Sequence, residues 1–141
     1  MKNAKWMLPV TLFLLSSLMT AQSITSSSVV ANVPFDFVVN NKVIPAGDLV
    51  VKAADMEGKI LAVRNFDAHA SALASAMRAQ QITASTDTVL SFKRYGGQYF
   101  LSGIRIAGSN WTYTLPESKA AKELRAQHAP ISETTLLAVL K

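Results

Sequence analysis

Apolar and polar residues alternate along several short stretches of the chain, a pattern typical of β-strands with one buried face. The first stretch covers residues 29–39, where valine, alanine and phenylalanine occupy every second position. Pro34 interrupts this alternation and predicts either an edge strand or a break in the strand near it. Asn40 and Asn41 follow as a predicted turn.

Two predicted hairpins come next. Residues 49–54 and 59–66 are apolar, β-rich runs separated by Asp-Met-Glu-Gly. Residues 88–95 and 98–105 flank Gly96 and Gly97, which tolerate the positive φ angles of a tight turn. A two-residue turn predicts three cross-strand pairs, namely Tyr95 with Gln98, Phe92 with Leu101, and Val89 with Ile104.

Residues 67–84 carry two conflicting patterns. Their many alanines favour a helix, and Leu73 and Met77 have helical spacing. Leu73, Ser75 and Met77 also alternate with alanines in period two. Because the neighbouring segments are predicted strands, we predict a strand here.

In the C-terminal third of the chain, the sequence pattern predicts a strand over residues 111–115, a helix over 116–127 and a final strand over 131–140. Pro116 suits a first helical turn and Glu117 complements its positive end. The last strand is expected to pair with an earlier one, most simply the first. The sequence therefore predicts an all-β domain, a small antiparallel meander of seven or eight strands closing toward a barrel or sandwich, with one C-terminal helix.

The N-terminus predicts export. Lys2 and Lys5 precede an apolar run over residues 6–19, which is short for a membrane span and typical of a signal peptide. Small residues at Ala21 and Ser23 suit cleavage after residue 23, and an uncleaved anchor is the alternative. We expect a signal peptide over 1–23, a single domain over 24–141 in the periplasm or outside the cell, and no membrane span after cleavage.

The composition of the chain excludes several classes of function. The formal charge of +5 falls to about +3 once the two lysines of the signal peptide are removed. The chain has no run of basic residues interleaved with aromatics, so nucleic-acid binding is not expected. It also has no cysteine, which excludes disulfides, thiol catalysis and cysteine metal sites. We predict no cofactor and no metal site.

Four motifs occur in a distinctive order: VPFDF at 33–37, VIPAGDLVV at 43–51, FKRYGGQYFL at 92–101 and LPESKAAKEL at 115–124. In this order they resemble a group of short exported proteins common in soil bacteria of the acidobacterial type. The second motif of that group usually reads Leu-Pro-Ala-Gly-Glu-Tyr-x-Val, whereas this chain has Leu49 and Val50 around the tyrosine position. Because no function is established for the group, the resemblance implies export and a compact β-rich domain and no catalytic residue.

Candidate catalytic groups are few. Asp67 and His69 would share a face of an extended chain, so the carboxylate could orient the imidazole for acid–base chemistry. A solvated pair in a loop is the favoured explanation. Asp36, between two phenylalanines, is either a ligand-contacting acid or, preferably, an outward strand residue or a partner in a turn hydrogen bond.

Aromatic residues offer the other candidate site. Tyr95, Tyr99, Trp111 and Tyr113 cluster around the second hairpin and the following strand, where exposed rings could bind a protein or a glycan. Packing in the core is the favoured alternative explanation.

From these patterns we expect an exported, non-catalytic interaction or envelope-associated module. The alternative is a small barrel-type carrier of an apolar ligand, and the third possibility is an enzyme using Asp67 and His69. The expected partner is thus an unknown protein, a glycan or an apolar small molecule.

Overall fold

The computed structural model describes residues 27–141, and the predicted signal peptide lies outside them. The described residues form twelve strands and one helix: β1 (Val29–Val33), β2 (Phe37–Val39), β3 (Lys42–Ile44), β4 (Gly47–Ala53), β5 (Ile60–Asn65), β6 (Ala70–Ser75), β7 (Met77–Gln80), β8 (Val89–Tyr95), β9 (Gln98–Arg105), β10 (Trp111–Thr114), α1 (Lys119–Ala126), β11 (Ile131–Leu137) and β12 (Val139–Leu140).

The strands form two sheets that enclose a common core. Sheet A has the order β12-β1-β4-β5-β6, and sheet B has the order β11-β8-β9-β10-β7. Strand β2 joins sheet B by pairing in parallel with β9, and it pairs with β3 on its other side. Phe37 and Phe92 fill the space between the sheets, with ring centroids 5.2 Å apart. The predicted all-β fold is confirmed as a sandwich and not as a closed barrel.

The chain passes between the two sheets at four short segments, which explains why twelve strands replace the predicted seven or eight. The crossings are residues 34–36, 45–46, 76 and 138. The break predicted at Pro34 is confirmed, since β1 lies between β12 and β4 and is not at an edge. The strand predicted for residues 67–84 divides into β6 and β7 at the third crossing. The last predicted strand divides into β11 and β12, and β12 pairs with β1 as expected.

Side-chain hydrogen bonds hold the first two crossings together. The Asp36 carboxylate accepts a hydrogen bond of 2.8 Å from the Ala46 N–H, so Asp36 acts as a turn partner. Asn65 is 1% exposed, and its side-chain amide donates to the carbonyl of Pro45 at 2.8 Å. Its amide oxygen accepts from the N–H groups of Asp67 and Ala68 at 3.0 and 3.2 Å. One side chain therefore ties the β3–β4 crossing to the β5–β6 turn.

The central hairpin contains a β-bulge that the sequence analysis missed. The pairs Tyr95–Gln98 and Phe92–Leu101 are confirmed, but Val89 pairs with Arg105, so the predicted Val89–Ile104 pair is wrong. The register shifts because Ser102 is an extra residue in β9 between the pairs Phe92–Leu101 and Ser91–Gly103. The shift leaves both Leu101 and Ile104 in the core.

Helix α1 begins three residues later than predicted. Ser118 is the N-cap, and its hydroxyl accepts a 3.2 Å hydrogen bond from the Ala121 N–H. A helix that began at Pro116 would have Leu115 as its N-cap, and the leucine side chain cannot accept a hydrogen bond. The helix therefore starts at Lys119, after a residue that can. Ala121 is buried against a small cluster of Val38, Tyr95 and Phe100 on the outer face of sheet B. Across residues 27–141, no helix combines the length and apolarity needed to cross a membrane.

Candidate binding groove

The outer face of sheet B carries a groove of about 570 Å³, within the size range of small-molecule sites. Its floor follows from strand register. Outward-facing residues of four neighbouring strands form one row across the sheet, hereafter the floor row: Thr135 of β11, Ser91 of β8, Gly103 of β9 and Thr114 of β10. All four residues are small. The outer face of sheet B is therefore recessed along the floor row and raised by larger side chains on both sides.

Helix α1 and the segment before it form one wall of the groove. Pro116, Ser118 and Lys119 line this side. Glu117 connects the segment to both the sheet and the helix. Its carboxylate accepts a 3.2 Å hydrogen bond from the Tyr95 hydroxyl of β8 and lies 3.2 Å from the Arg125 guanidinium of α1. Burial, and secondarily the Glu117 charge, raise the pKa of Tyr95. The wall is thus anchored by a neutral phenol and an ion pair.

The bulge shapes the middle of the floor. The Ser102 hydroxyl donates to the Ser91 carbonyl at 3.0 Å, and the Ser102 carbonyl accepts from the Leu115 N–H at 2.9 Å. Strand β9 pairs with β2 before this point and with β10 after it. The groove reaches the gap between these two partners, where the Asn40–Asn41 turn lines it.

Cationic side chains line the groove. Lys93 and Arg105 belong to β8 and β9, and Lys119 belongs to the helix. Within residues 27–141 none of the three forms a salt bridge. Glu133 lies opposite Lys93 in the strand register and supplies one carboxylate on the β11 side.

Thr112 adds an unusual polar group to the groove lining. Its Oγ1 is buried and is the one side-chain polar atom, among the described residues, that is buried without a hydrogen-bond partner. Such a group costs free energy when it stays unpaired.

The four aromatic residues predicted to bind a partner do not form one surface. Tyr95 lines the groove but is only 4% exposed. Tyr99 packs against the main core, with its ring stacked 3.8 Å from that of Phe35. Trp111 and Tyr113 come together around Arg78, whose guanidinium lies 4.2 Å from the Trp111 ring centroid and 5.9 Å from that of Tyr113.

Asp67 and His69 lie in the turn between β5 and β6. Both are exposed, and His69 has a positive φ of 52° as a turn residue. Its N–H donates to the Phe66 carbonyl at 3.3 Å. Within residues 27–141, no three histidine or acidic side chains lie close enough together to hold a metal ion.

Sequence reasoning missed the floor row and the lysine and arginine residues beside it. Each strand showed small or charged residues alternating with core residues, which was the available signal. The position of Thr114 beside Gly103, and of Thr135 beside Ser91, depends on pairings between segments distant in sequence. Comparison with known proteins adds no further information, because no family model, curated protein or solved structure matches this chain.

Proposed function

We propose that this chain is an exported, non-catalytic binding module whose groove on sheet B takes an anionic, polyhydroxylated ligand such as an acidic oligosaccharide. The observation that carries the proposal is the groove itself, with small hydroxyl residues along its floor and Lys93, Arg105 and Lys119 around it. Hydroxyl groups both donate and accept hydrogen bonds, so they match sugar hydroxyls. The cations would attract carboxylates on the ligand.

The carrier of an apolar ligand is the second candidate, and it would have to use the same groove. The space between the sheets is filled by Phe35, Phe37 and Phe92, whose rings pack edge to face at 5.1 and 5.2 Å. Apolar residues do line part of the groove, including Phe100 and Leu115. An apolar ligand would leave the three cations and the Thr112 hydroxyl without partners, so we favour the polar ligand.

Titration calorimetry with matched oligosaccharides tests the proposal. We expect uronic-acid oligomers to bind more tightly than neutral oligomers of equal length, with affinity falling as salt is added. Native mass spectrometry of the purified protein provides the complementary test for an apolar ligand. A retained lipid-like mass, together with no binding of either oligosaccharide, would overturn the proposal in favour of the carrier.

Four variants test whether the ligand binds in the groove. Ser91→Leu adds bulk to the middle of the floor row and should weaken binding by about tenfold or more, the equivalent of roughly 1.4 kcal/mol. Ser71→Leu makes the same change at an exposed strand position of sheet A and should leave binding unchanged. Thr112→Val should weaken binding, whereas Thr112→Ser should retain it. Equal binding by Ser91→Leu and Ser71→Leu would place the ligand elsewhere.

A further inference from the structure

Strand β11 is an exposed edge of sheet B. It pairs with β8 along all seven of its residues and ends the strand order of the sheet. Natural edge strands are usually short, or protected by lysine, proline or a bulge, because an open edge can pair with another strand. Strand β11 contains none of these, and its one charged residue is Glu133. Ile131 and Leu137, at its two ends, are 53% and 76% exposed.

The sequence of β11 is complementary to itself in one antiparallel register. Centring the pairing on Thr134 pairs all seven residues and places Ile131 opposite Leu137 of a second copy. The same register puts Glu133 opposite Thr135 and Thr134 opposite Thr134. Apolar ends then meet each other, and no like charges stand opposite one another, as favourable cross-strand pairing requires.

Neighbouring registers of the β11 pairing give less favourable cross-strand pairs. Moving the centre to Glu133 places two carboxylates opposite each other and leaves Leu137 unpaired. Moving it to Thr135 leaves Ile131 unpaired. Only the register centred on Thr134 keeps outward residues opposite outward residues while covering both exposed apolar side chains, since faces alternate along a strand.

We propose that two copies of this chain pair through β11 about a two-fold axis at Thr134, continuing sheet B from one copy into the other. Such an interface is isologous, as in most homodimers. Glu133 and Thr135 line the groove on its β11 side, so pairing brings the second copy's Thr135 and Glu133 beside them. If the proposed function holds, the two grooves join across the axis and accommodate a longer ligand.

Cysteine cross-linking tests the register, because the chain has no native cysteine. Thr134→Cys should give a disulfide-linked dimer under mild oxidation, since the two sulfurs meet at the axis. Ile131→Cys alone should not cross-link, because its two copies would lie about 20 Å apart, far beyond disulfide reach. A mixture of Ile131→Cys and Leu137→Cys should cross-link as a heterodimer. Ser132→Cys, with its copies about 14 Å apart, is the matched control.

Sedimentation analysis tests for the dimer without cross-linking. The unmodified protein should sediment as a dimer, and Leu137→Lys or Ile131→Lys should convert it to a monomer with an unchanged circular dichroism spectrum. Leu73→Lys alters a similarly exposed leucine, 58% exposed on β6, and should remain dimeric. A monomer at every concentration, or a dimer that cross-links equally at Ser132 and Thr134, overturns the proposal. Neither result depends on any oligosaccharide, so this test can fail while the groove still binds its ligand.

Discussion

The Tyr95 hydroxyl donates a hydrogen bond of 3.2 Å to the carboxylate of Glu117, across the base of the groove wall. The phenol is buried beneath helix α1, and its ring packs edge to face against Phe100 at 5.4 Å. Burial raises the pKa of Tyr95, and the Glu117 charge raises it further, while Arg125 opposes them. Deprotonation of Tyr95 would therefore remove the hydrogen bond that its hydroxyl donates to Glu117.

We predict that the protein loses stability in alkali through Tyr95. A raised folded-state pKa means that the neutral phenol is favoured by folding. Its contribution is present below the unfolded pKa of about 10 and is lost as pH rises through the folded value. The free energy of unfolding of the unmodified protein should therefore fall more steeply above pH 10 than that of Tyr95→Phe, as measured by urea titration at each pH.

Two variants, one that removes a negative charge beside Tyr95 and one that removes a positive charge, provide the control for this prediction. Glu117→Gln removes the negative neighbour and should lower the Tyr95 pKa, whereas Arg125→Gln should raise it. Ultraviolet titration of the tyrosinate absorbance measures both. Shifts in the same direction for the two variants would contradict the assigned causes.

Asn65 is expected to be the most sensitive polar position in the fold. Replacing it with alanine leaves the carbonyl of Pro45 and the N–H groups of Asp67 and Ala68 without this partner. The free energy of unfolding should fall by about 2 to 4 kcal/mol. Asn32→Ala removes an exposed amide that donates to Asp48 at 3.0 Å, and it should cost less than about 0.5 kcal/mol. Equal losses for the two variants in denaturant titration would show that burial of Asn65 does not matter.

Local patterns predicted the elements of this fold better than its connections. Gly96-Gly97 and the flanking alternation were enough to place the hairpin and its first two confirmed pairs. The pair beyond them was wrong because Ser102 forms a bulge, and a serine carries no distinctive bulge signal. The crossings at Ala76 and Ala138 could not be predicted from the sequence either, since alanine fits both a continuous strand and a break. The groove depends on those crossings and on pairings between distant segments, so it could not be predicted from periodicity.

The stacking of Arg78 on Trp111 predicts a fluorescence signature. Arg78 lies 4.2 Å above the indole and also donates to the Glu57 carbonyl at 3.0 Å. The Trp111 side chain is 37% exposed, and Arg78→Ala should increase its exposure and shift its fluorescence emission to the red. The free energy of unfolding should fall by about 1 kcal/mol. The Trp6→Phe background makes Trp111 the single tryptophan. Arg64→Ala, which removes a similar contact with Phe66 at 5.4 Å, should leave the spectrum unchanged. An identical shift in both variants would contradict a direct contact.

Gly58 and Gly97 both lie in turns, yet we predict opposite tolerance to alanine. Gly58 has a φ of +69°, and a Cβ atom there would lie 3.0 Å from Cε1 of Tyr113. Alanine at this position would be strained by its backbone and crowded by a ring that packs against the core, so Gly58→Ala should cost about 1 to 2 kcal/mol. At Gly97 no atom lies within 4 Å of an added Cβ, so Gly97→Ala should be within about 0.5 kcal/mol of the unmodified protein. Thermal unfolding of the two variants measures the difference. A loss confined to Gly97→Ala would show that the turn between β8 and β9, and not the contact between Gly58 and Tyr113, limits stability.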